Sequence, residues 1–295
     1  PDDWLCPDCL VGKEDFEMIE IPAAPIVSGA NETAAAQVLS ADAPPEGAIV
    51  IVGSGYAGYN LAEAIRKLDS QCEIVVLTQD DGRHYSKPAL STGFAMAKTA
   101  DELVTELPLD RANRLNIRII THCTVERIDN KAKCLITNIG QQAFGQLVLA
   151  QGAQPIKLNF LGDASDQVIS VNDLQDYRQY RKRLEGKERV LLIGNGLIGC
   201  EFANDLAAAG KKVDLVGLTS WPMDRLLPEE IGIELKKSLE SIGVSFWLKN
   251  TVATINYTNK VNCEGGFDVT LNSGEQISVD VIVCAVGLQA RTKLA

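Results

Sequence analysis

At 295 residues, with 46% hydrophobic and only 5% aromatic residues, the chain is long enough for about two ordinary domains with buried α/β cores. No run approaches the ~20 unbroken apolar residues that a membrane span needs, so membrane insertion is not expected. The 39 acidic against 28 basic residues leave a net charge of −11, which argues against a nucleic-acid partner and otherwise reads as simple solubility.

Of eight cysteines, Cys72, Cys123, Cys134, Cys200, Cys263 and Cys284 are scattered singly, the pattern of buried, reduced thiols in a cytoplasmic protein rather than of a disulfide framework. The other two, Cys6 and Cys9, lie three apart in the opening Pro-Asp-Asp-Trp-Leu-Cys-Pro-Asp-Cys, a knuckle able to present two thiolates to one metal ion. A closed tetrahedral site needs four ligands, so residues 1–19 carry half a site, and spacing alone leaves zinc and iron open. The chain begins at Pro1 inside this motif and is expected to be a fragment at its N-terminus. Residues 20–47, rich in Ala and Pro and without periodicity, read as a linker spanning about 30 Å, which would hold its cargo at about millimolar concentration near the next domain.

Residues 48–52 are an apolar strand that runs into Gly53-Ser54-Gly55-Tyr56-Ala57-Gly58 and then a helix with Leu61, Ile65 and Leu68 on one face. In such a strand-turn-helix the first glycine allows the sharp turn. The second lets backbone N–H groups approach a pyrophosphate, and the third lets the helix pack on the strand. A second strand over 73–78 completes the unit, but where a carboxylate usually ends it to hold the ribose there stand Thr78 and Gln79, with Asp80 and Asp81 just beyond. The adenosine end is therefore expected to be gripped differently, or by a carboxylate displaced along the chain.

Next comes Tyr85-Ser86-Lys87-Pro88-Ala89-Leu90-Ser91, whose lysine is by itself an ordinary solvated loop residue. Strands are expected over 117–120 and 125–128, and Leu147-Val148-Leu149-Ala150 runs from strand into a turn at Gly152. His84 and His122 are the only histidines, lie far apart in sequence, and read as structural or exposed. Residues 172–186 read as a charged surface helix. Then the opening motif repeats: Arg189–Ile193 leads into Gly194-Asn195-Gly196-Leu197-Ile198-Gly199, a helix burying Ile198, Phe202 and Leu206 and stopped at Gly210, and a strand over 213–216. Helical sequence with Leu226, Leu227, Leu235 and Leu239 follows, then strands at Val244–Leu248, Phe267–Leu271 and 281–286, the last passing into Gly287 as an echo of Ala150 and Gly152. Two dinucleotide motifs imply two dinucleotides, and the economical pair is a resident flavin with an exchanging nicotinamide.

Three phrases add a resemblance: 80–88 (Asp-Asp-Gly-Arg-His-Tyr-Ser-Lys-Pro), 191–206 with its Gly-Asn-Gly-Leu-Ile-Gly-Cys-Glu-Phe core, and Ala285-Val286-Gly287-Leu288. On these, residues 47–295 resemble the FAD-dependent pyridine-nucleotide reductases, and within them the branch that reduces rubredoxin. The head, with its Trp-x-Cys-Pro-x-Cys and Lys13-Glu14-Asp15-Phe16, resembles the second half of rubredoxin itself, save that Leu10 stands where that family carries glycine. The resemblance implies two Rossmann-like domains in an α/β fold, with residues 48–160 binding FAD, residues 161–283 binding NAD(H) or NADP(H), and residues 284–295 returning toward the first. It makes Lys87 and Glu201 a pair beside the hydride-accepting flavin nitrogen, where a lysine held by a carboxylate favours the reduced flavin anion. Cys6 and Cys9 become iron ligands whose partner pair is absent, and a later flavin-binding segment is missing beyond Ala295, so the chain is expected to be truncated at both ends.

The candidate cofactor positions are Gly53, Ser54, Gly55, Tyr56, Ala57, Gly58, Thr78, Gln79, Lys87, Pro88, Val125, Ala150 and Gly152 for the first nucleotide. For the second they are Gly194, Asn195, Gly196, Leu197, Ile198, Gly199, Glu201 and Gly217, with Gly287 at the return. Gly217 replaces the carboxylate often found at that strand end, and loss of such a charge-assisted bond, about 1.5 to 3 kcal/mol, would weaken NADH by about tenfold to a hundredfold. The implied activity is transfer of hydride from NADH or NADPH to FAD and of single electrons to a rubredoxin iron, with an oxygenase or an oxygen-detoxifying protein downstream. A ferredoxin reductase and a non-catalytic nucleotide-binding fragment are the alternatives. A disulfide or peroxide reductase lacks its cysteine pair, since no cysteine lies between Cys72 and Cys123.

Overall fold

Apolar strands followed by glycine turns become parallel sheet twice over in a computed structural model, which describes residues 48–258 and 265–295. The half metal site at Cys6 and Cys9, the linker and Cys263 lie outside the described residues. Contacts divide the chain into two compact units. One holds the described residues up to Gly82, Pro108–Gln151 and Lys293–Ala295; the other holds the described residues of Arg83–Leu107 and Gly152–Thr292.

In the first unit, β1 (Ile49–Val52), α1 (Tyr56–Leu68), β2 (Ile74–Leu77), β3 (Arg118–Ile120) and β4 (Gln146–Leu149) build a four-stranded parallel sheet in the order β3-β2-β1-β4. Both faces of the sheet are covered, which is why β1 and β2 read as unbroken apolar runs rather than alternating ones. One face packs Val50, Val75 and Leu77 with Val125 and Leu135 of a three-stranded antiparallel sheet and with Phe144 just beyond its last strand; the other packs Ile51 and Val76 with Tyr59 and Ala62 of α1. The expected helix face is corrected here. Leu61 and Ile65 are only partly buried and Leu68 is 90% exposed, while Gly58, Tyr59 and Ala62 are buried. Close approach to the strand selects small residues at Gly58 and Ala62, and Tyr59 between them, rather than a leucine or isoleucine of the helix, fills the core.

The second unit repeats the arrangement. Here α2 (Leu174–Leu184), β5 (Arg189–Ile193), α3 (Leu197–Ala208), β6 (Lys212–Gly217), α4 (Glu229–Ser241), β7 (Val244–Leu248) and β8 (Val281–Cys284) form a second four-stranded parallel sheet, ordered β7-β6-β5-β8. The supposed surface helix α2 is amphipathic. Asp173 caps it, accepting from the backbone N–H groups of Gln175 and Asp176 at 2.9 Å, and Leu174, Tyr177, Tyr180 and Leu184 are buried. Leu226 and Leu227 precede α4 instead of joining it, because Pro228 takes the position before the first turn. Ile198 is 42% exposed, against the expectation that it is buried; it stands at the start of α3, whereas Phe202 and Leu206 are buried as expected. Arg83–Leu107 groups with this unit because Leu90, Ala100 and Leu103 share one core with Tyr177, Tyr180 and Phe202.

Candidate functional site

The two glycine turns are built alike, hydrogen bond for hydrogen bond. Gly53 N–H donates to Leu77 O at 2.8 Å, and Gly194 N–H to Val216 O at 2.8 Å. On the other side, Ala150 N–H donates to Val52 O at 2.8 Å, and Ala285 N–H to Ile193 O at 2.7 Å. Gly53 and Gly194 have φ of +122° and +115°, and a Cβ on either would collide with the carbonyl of Ala150 or Ala285. A Cβ on Gly58 or Gly199 would collide with the carbonyl of Gly53 or Gly194, so the third glycine lets each helix seat on its own turn. The middle glycines are different: a Cβ on Gly55 or Gly196 meets nothing within 4 Å.

The middle of each turn therefore faces open space, at the start of a helix with neither a side-chain cap nor an acidic residue in its first turn. The unpaired N–H groups and positive dipole end of α1 and α3 are left for an anion. The donor set and the room fit a pyrophosphate in both units, so the chain's residues suit FAD and a nicotinamide dinucleotide. Tyr56 and Ala57 lie exposed at the start of α1, and Leu197 and Ile198 at the start of α3.

The strand end of the first unit resolves into a polar cluster. Ser54 Oγ and Thr78 Oγ1 lie 2.7 Å apart, Thr78 donates to Asp80 Oδ1 at 2.6 Å, and Gly82 N–H donates to the same oxygen at 2.9 Å. A carboxylate, that of Asp80, thus stands at this edge three residues past Leu77, the last residue of the strand, held there by Thr78. Gln79 is exposed, and Val125 is buried in the core with Leu135 and Phe144. Ala150 is the wall behind Gly53, and Gly152 follows at φ +65°.

Within the second unit, Lys87 opens a short 3-10 turn, Lys87–Leu90, with Pro88 as its second residue. Its ammonium donates to the backbone O of Asn172 at 2.8 Å and to Asn172 Oδ1 at 3.1 Å. Asn172 is itself fixed, since its N–H donates to Asp176 Oδ2 at 2.9 Å and its amide to Ala153 O at 3.1 Å. Glu201, on α3, accepts from Ser91 Oγ at 2.5 Å, the residue that closes the same 3-10 turn by donating to Pro88 O. One turn further along α3, Asp205 accepts from Phe94 N–H at 2.8 Å and Ala95 N–H at 2.9 Å. Two carboxylates four residues apart thus hold the Lys87 segment along one helix face. Burial nevertheless pushes the Asp205 carboxyl above its ordinary range. Asn172 and Ser91 went unseen in the sequence: one polar residue before a cap and one serine in a loop carry no motif. Gly287, at φ +123°, accepts from Ile156 N–H at 3.1 Å and leads into a two-stranded antiparallel ribbon, Leu288–Ala290 against Ala153–Pro155.

Among the described residues no cluster of three or more His, Cys, Asp or Glu side chains has the arrangement to hold a metal ion, and no helix is long and apolar enough to cross a membrane. Cys123, Cys134, Cys200 and Cys284 are buried thiols outside any disulfide, and burial pushes the Cys200 thiol up to about 11. A thiol so protonated is a poor nucleophile and a poor disulfide partner.

Two parallel sheets, each with a glycine turn open to a pyrophosphate, define a protein built to bind two dinucleotides. Residues 47–295 match the model of the pyridine nucleotide-disulphide oxidoreductases, and the chain belongs to that family. It is 41% identical over 247 residues to a rubredoxin-NAD(+) reductase of Alcanivorax borkumensis, an alignment covering 84% of this chain and 64% of that protein. With a nitric oxide reductase FlRd-NAD(+) reductase of Aliivibrio fischeri it shares 36% identity, again over 84% and 64%. Among solved structures, the ferredoxin reductase of Rhodopseudomonas palustris matches with a TM-score of 0.74 at 25% identity, covering 82% of this chain and 59% of that one. The chain thus spans somewhat less than two thirds of the length of these relatives.

Proposed function

We propose that this chain is the nucleotide-handling part of an NADH- or NADPH-dependent flavoprotein reductase that delivers electrons to a rubredoxin-type acceptor. The observation that carries the reading is the duplicated cradle: both units keep the same hydrogen bonds around the turn, the same two glycines forced by close packing and the same open middle position. A flavin supplies the change from a donor of two electrons to an acceptor of one. The chain's own residues seat two pyrophosphates on the starts of α1 and α3. Asn172 holds the Lys87 ammonium in one place, and Ser91 keeps Glu201 a hydrogen-bond acceptor. These two charges are the groups we assign to the redox step, as the resemblance of the 80–88 and 191–206 phrases implies.

The names of the Alcanivorax and Aliivibrio relatives favour rubredoxin or a flavorubredoxin as acceptor, and the resemblance of the sequence implies an oxygenase or an oxygen-detoxifying protein after it. The rubredoxin-like wording at Cys6 and Cys9 would place an iron acceptor on the same chain. The buried thiols of Cys123, Cys134, Cys200 and Cys284 suit a cytoplasmic setting. A second reading, reduction of a ferredoxin, draws on the Rhodopseudomonas match.

Anaerobic stopped-flow of the full-length protein with NADH and a separate oxidised rubredoxin or ferredoxin tests this. Flavin bleaching followed by bleaching of the rubredoxin iron–thiolate band is expected. Flavin reduction with electrons arriving only at ferredoxin would move the assignment to the second reading, and no flavin reduction would end both.

A further inference from the structure

The two nucleotide units differ where the adenosine ribose would lie. Leu77 and Val216 accept the same hydrogen bond from the first glycine of their turns, so Thr78 and Gly217 occupy equivalent places, and Asp80 matches Thr219. In the first unit this edge carries a carboxylate, that of Asp80, wired to Ser54 and Thr78. In the second, the residue equivalent to Ser54 is Asn195, which is buried. A Cβ on Gly217 would overlap the Asn195 side chain, whose own Cβ is 2.6 Å from that point. The space for a side chain at the strand end is already filled by this amide.

Asn195 Nδ2 donates to Thr219 Oγ1 at 2.7 Å and to the Trp221 carbonyl at 3.2 Å, and Thr219 in turn donates to that carbonyl at 2.8 Å. A carbonyl can only accept, so the amide nitrogen must face it and Oδ1 is left as the acceptor beside Gly217. An amide oxygen can take a hydrogen bond from a ribose hydroxyl, as a carboxylate does. It carries no charge, so it does not repel a 2′-phosphate as a carboxylate would. No Asp or Glu occurs from Gly217 to Met223, and the exposed Lys249 stands on the same edge, its backbone N–H donating to Thr219 O at 3.1 Å.

We infer that the second unit accepts NADPH as well as NADH, and that Asn195, in the place of the missing carboxylate, sets this tolerance. The inference rests on reading the second unit as the nicotinamide site. Its test is calorimetric titration of the full-length, flavin-loaded protein with NAD(+) and NADP(+), a readout independent of turnover. Dissociation constants within about tenfold of each other, that is within about 1.4 kcal/mol, are expected. Thr219→Asp rebuilds the acidic edge of the first unit and keeps an acceptor for Asn195; it is expected to weaken NADP(+) relative to NAD(+) by about tenfold or more. Asn195→Asp is a second route to the same charge if the first variant does not fold. A preference for NAD(+) beyond about tenfold in the unaltered protein, or an unchanged ratio in the folded variants, overturns the inference. Binding of neither nucleotide by folded protein overturns it together with the nicotinamide reading.

Discussion

Lys87 lies on the surface of its unit, yet its ammonium is held by two oxygens of a single residue, Asn172, which is in turn fixed by Asp176 and Ala153. A solvated loop lysine would not need such a support. If Lys87 favours the reduced flavin, Lys87→Ala lowers the rate of flavin reduction by about tenfold or more while the dissociation constant for NADH changes less. Asn172→Ala, which removes only the amide, should produce the same split in smaller measure, because the backbone oxygen remains. Stopped-flow traces across NADH concentration separate rate from binding, and equal effects on both would reduce Asn172 to a structural role. Tyr180 presents the opposite case. Its ring is buried among Phe94, Tyr177 and Phe202, but its hydroxyl has no hydrogen-bond partner among the described residues, and burial, with Asp205 nearby, pushes the phenol well above its ordinary range. Removing a buried unsatisfied group recovers its desolvation cost, so Tyr180→Phe is expected to leave stability unchanged or raise it by about 1 kcal/mol. Urea unfolding measures this; a loss of that size would mean the hydroxyl has a partner.

At the scale of the strand-turn-helix, the glycines divide into those that hold the element together and those that leave room. Gly58→Ala and Gly199→Ala drive a methyl into a carbonyl of the first glycine and must lever the helix off its strand, an overpacking cost of about 1 to 3 kcal/mol or more. Gly55→Ala and Gly196→Ala meet open space, so the fold is expected to persist while nucleotide affinity falls. Thermal unfolding and nucleotide titration of the four variants check the contrast; a Gly55→Ala protein that unfolds early would contradict the open cradle. This much was legible in advance, because glycine spacing and flanking apolar runs directly encode the turn. The buried side of α1 was not. Sequence periodicity points to Leu61, Ile65 and Leu68, but the buried face is Gly58, Tyr59 and Ala62, a tyrosine flanked by two residues small enough to let the helix approach the sheet. The partners of Lys87 and Glu201 were equally hidden: Asn172 and Ser91 come close to them only through folding, 85 and 110 positions away in one case each.

Across the whole chain, duplication is what turns two ambiguous motifs into a division of labour. The sequence carried the repeat, including the echo of Ala150 and Gly152 in Ala285 and Gly287. It did not carry the grouping of Arg83–Leu107 with the second unit, which follows from a core shared with α2 and α3 and has no local signature. The edges set the two copies apart, one with Asp80 and the other with only Asn195 and Thr219, so the cradles are not interchangeable. That asymmetry has a consequence for hydrogen exchange. The first N–H groups of α1 and of α3 have no intrahelical acceptor, and neither helix has a side-chain cap. They should exchange quickly until a phosphate accepts them. Adding FAD to flavin-stripped full-length protein is expected to slow exchange at residues 56–58 and leave residues 197–199 fast. NADPH, added afterwards under anaerobic conditions, should then slow residues 197–199. A nucleotide present at about a hundred times its dissociation constant stabilises its bound state by about 2.7 kcal/mol, ample for the protection to register. If both nucleotides slow the same stretch, the two units do not serve separate cofactors, and a shared site would have to replace the paired cradles.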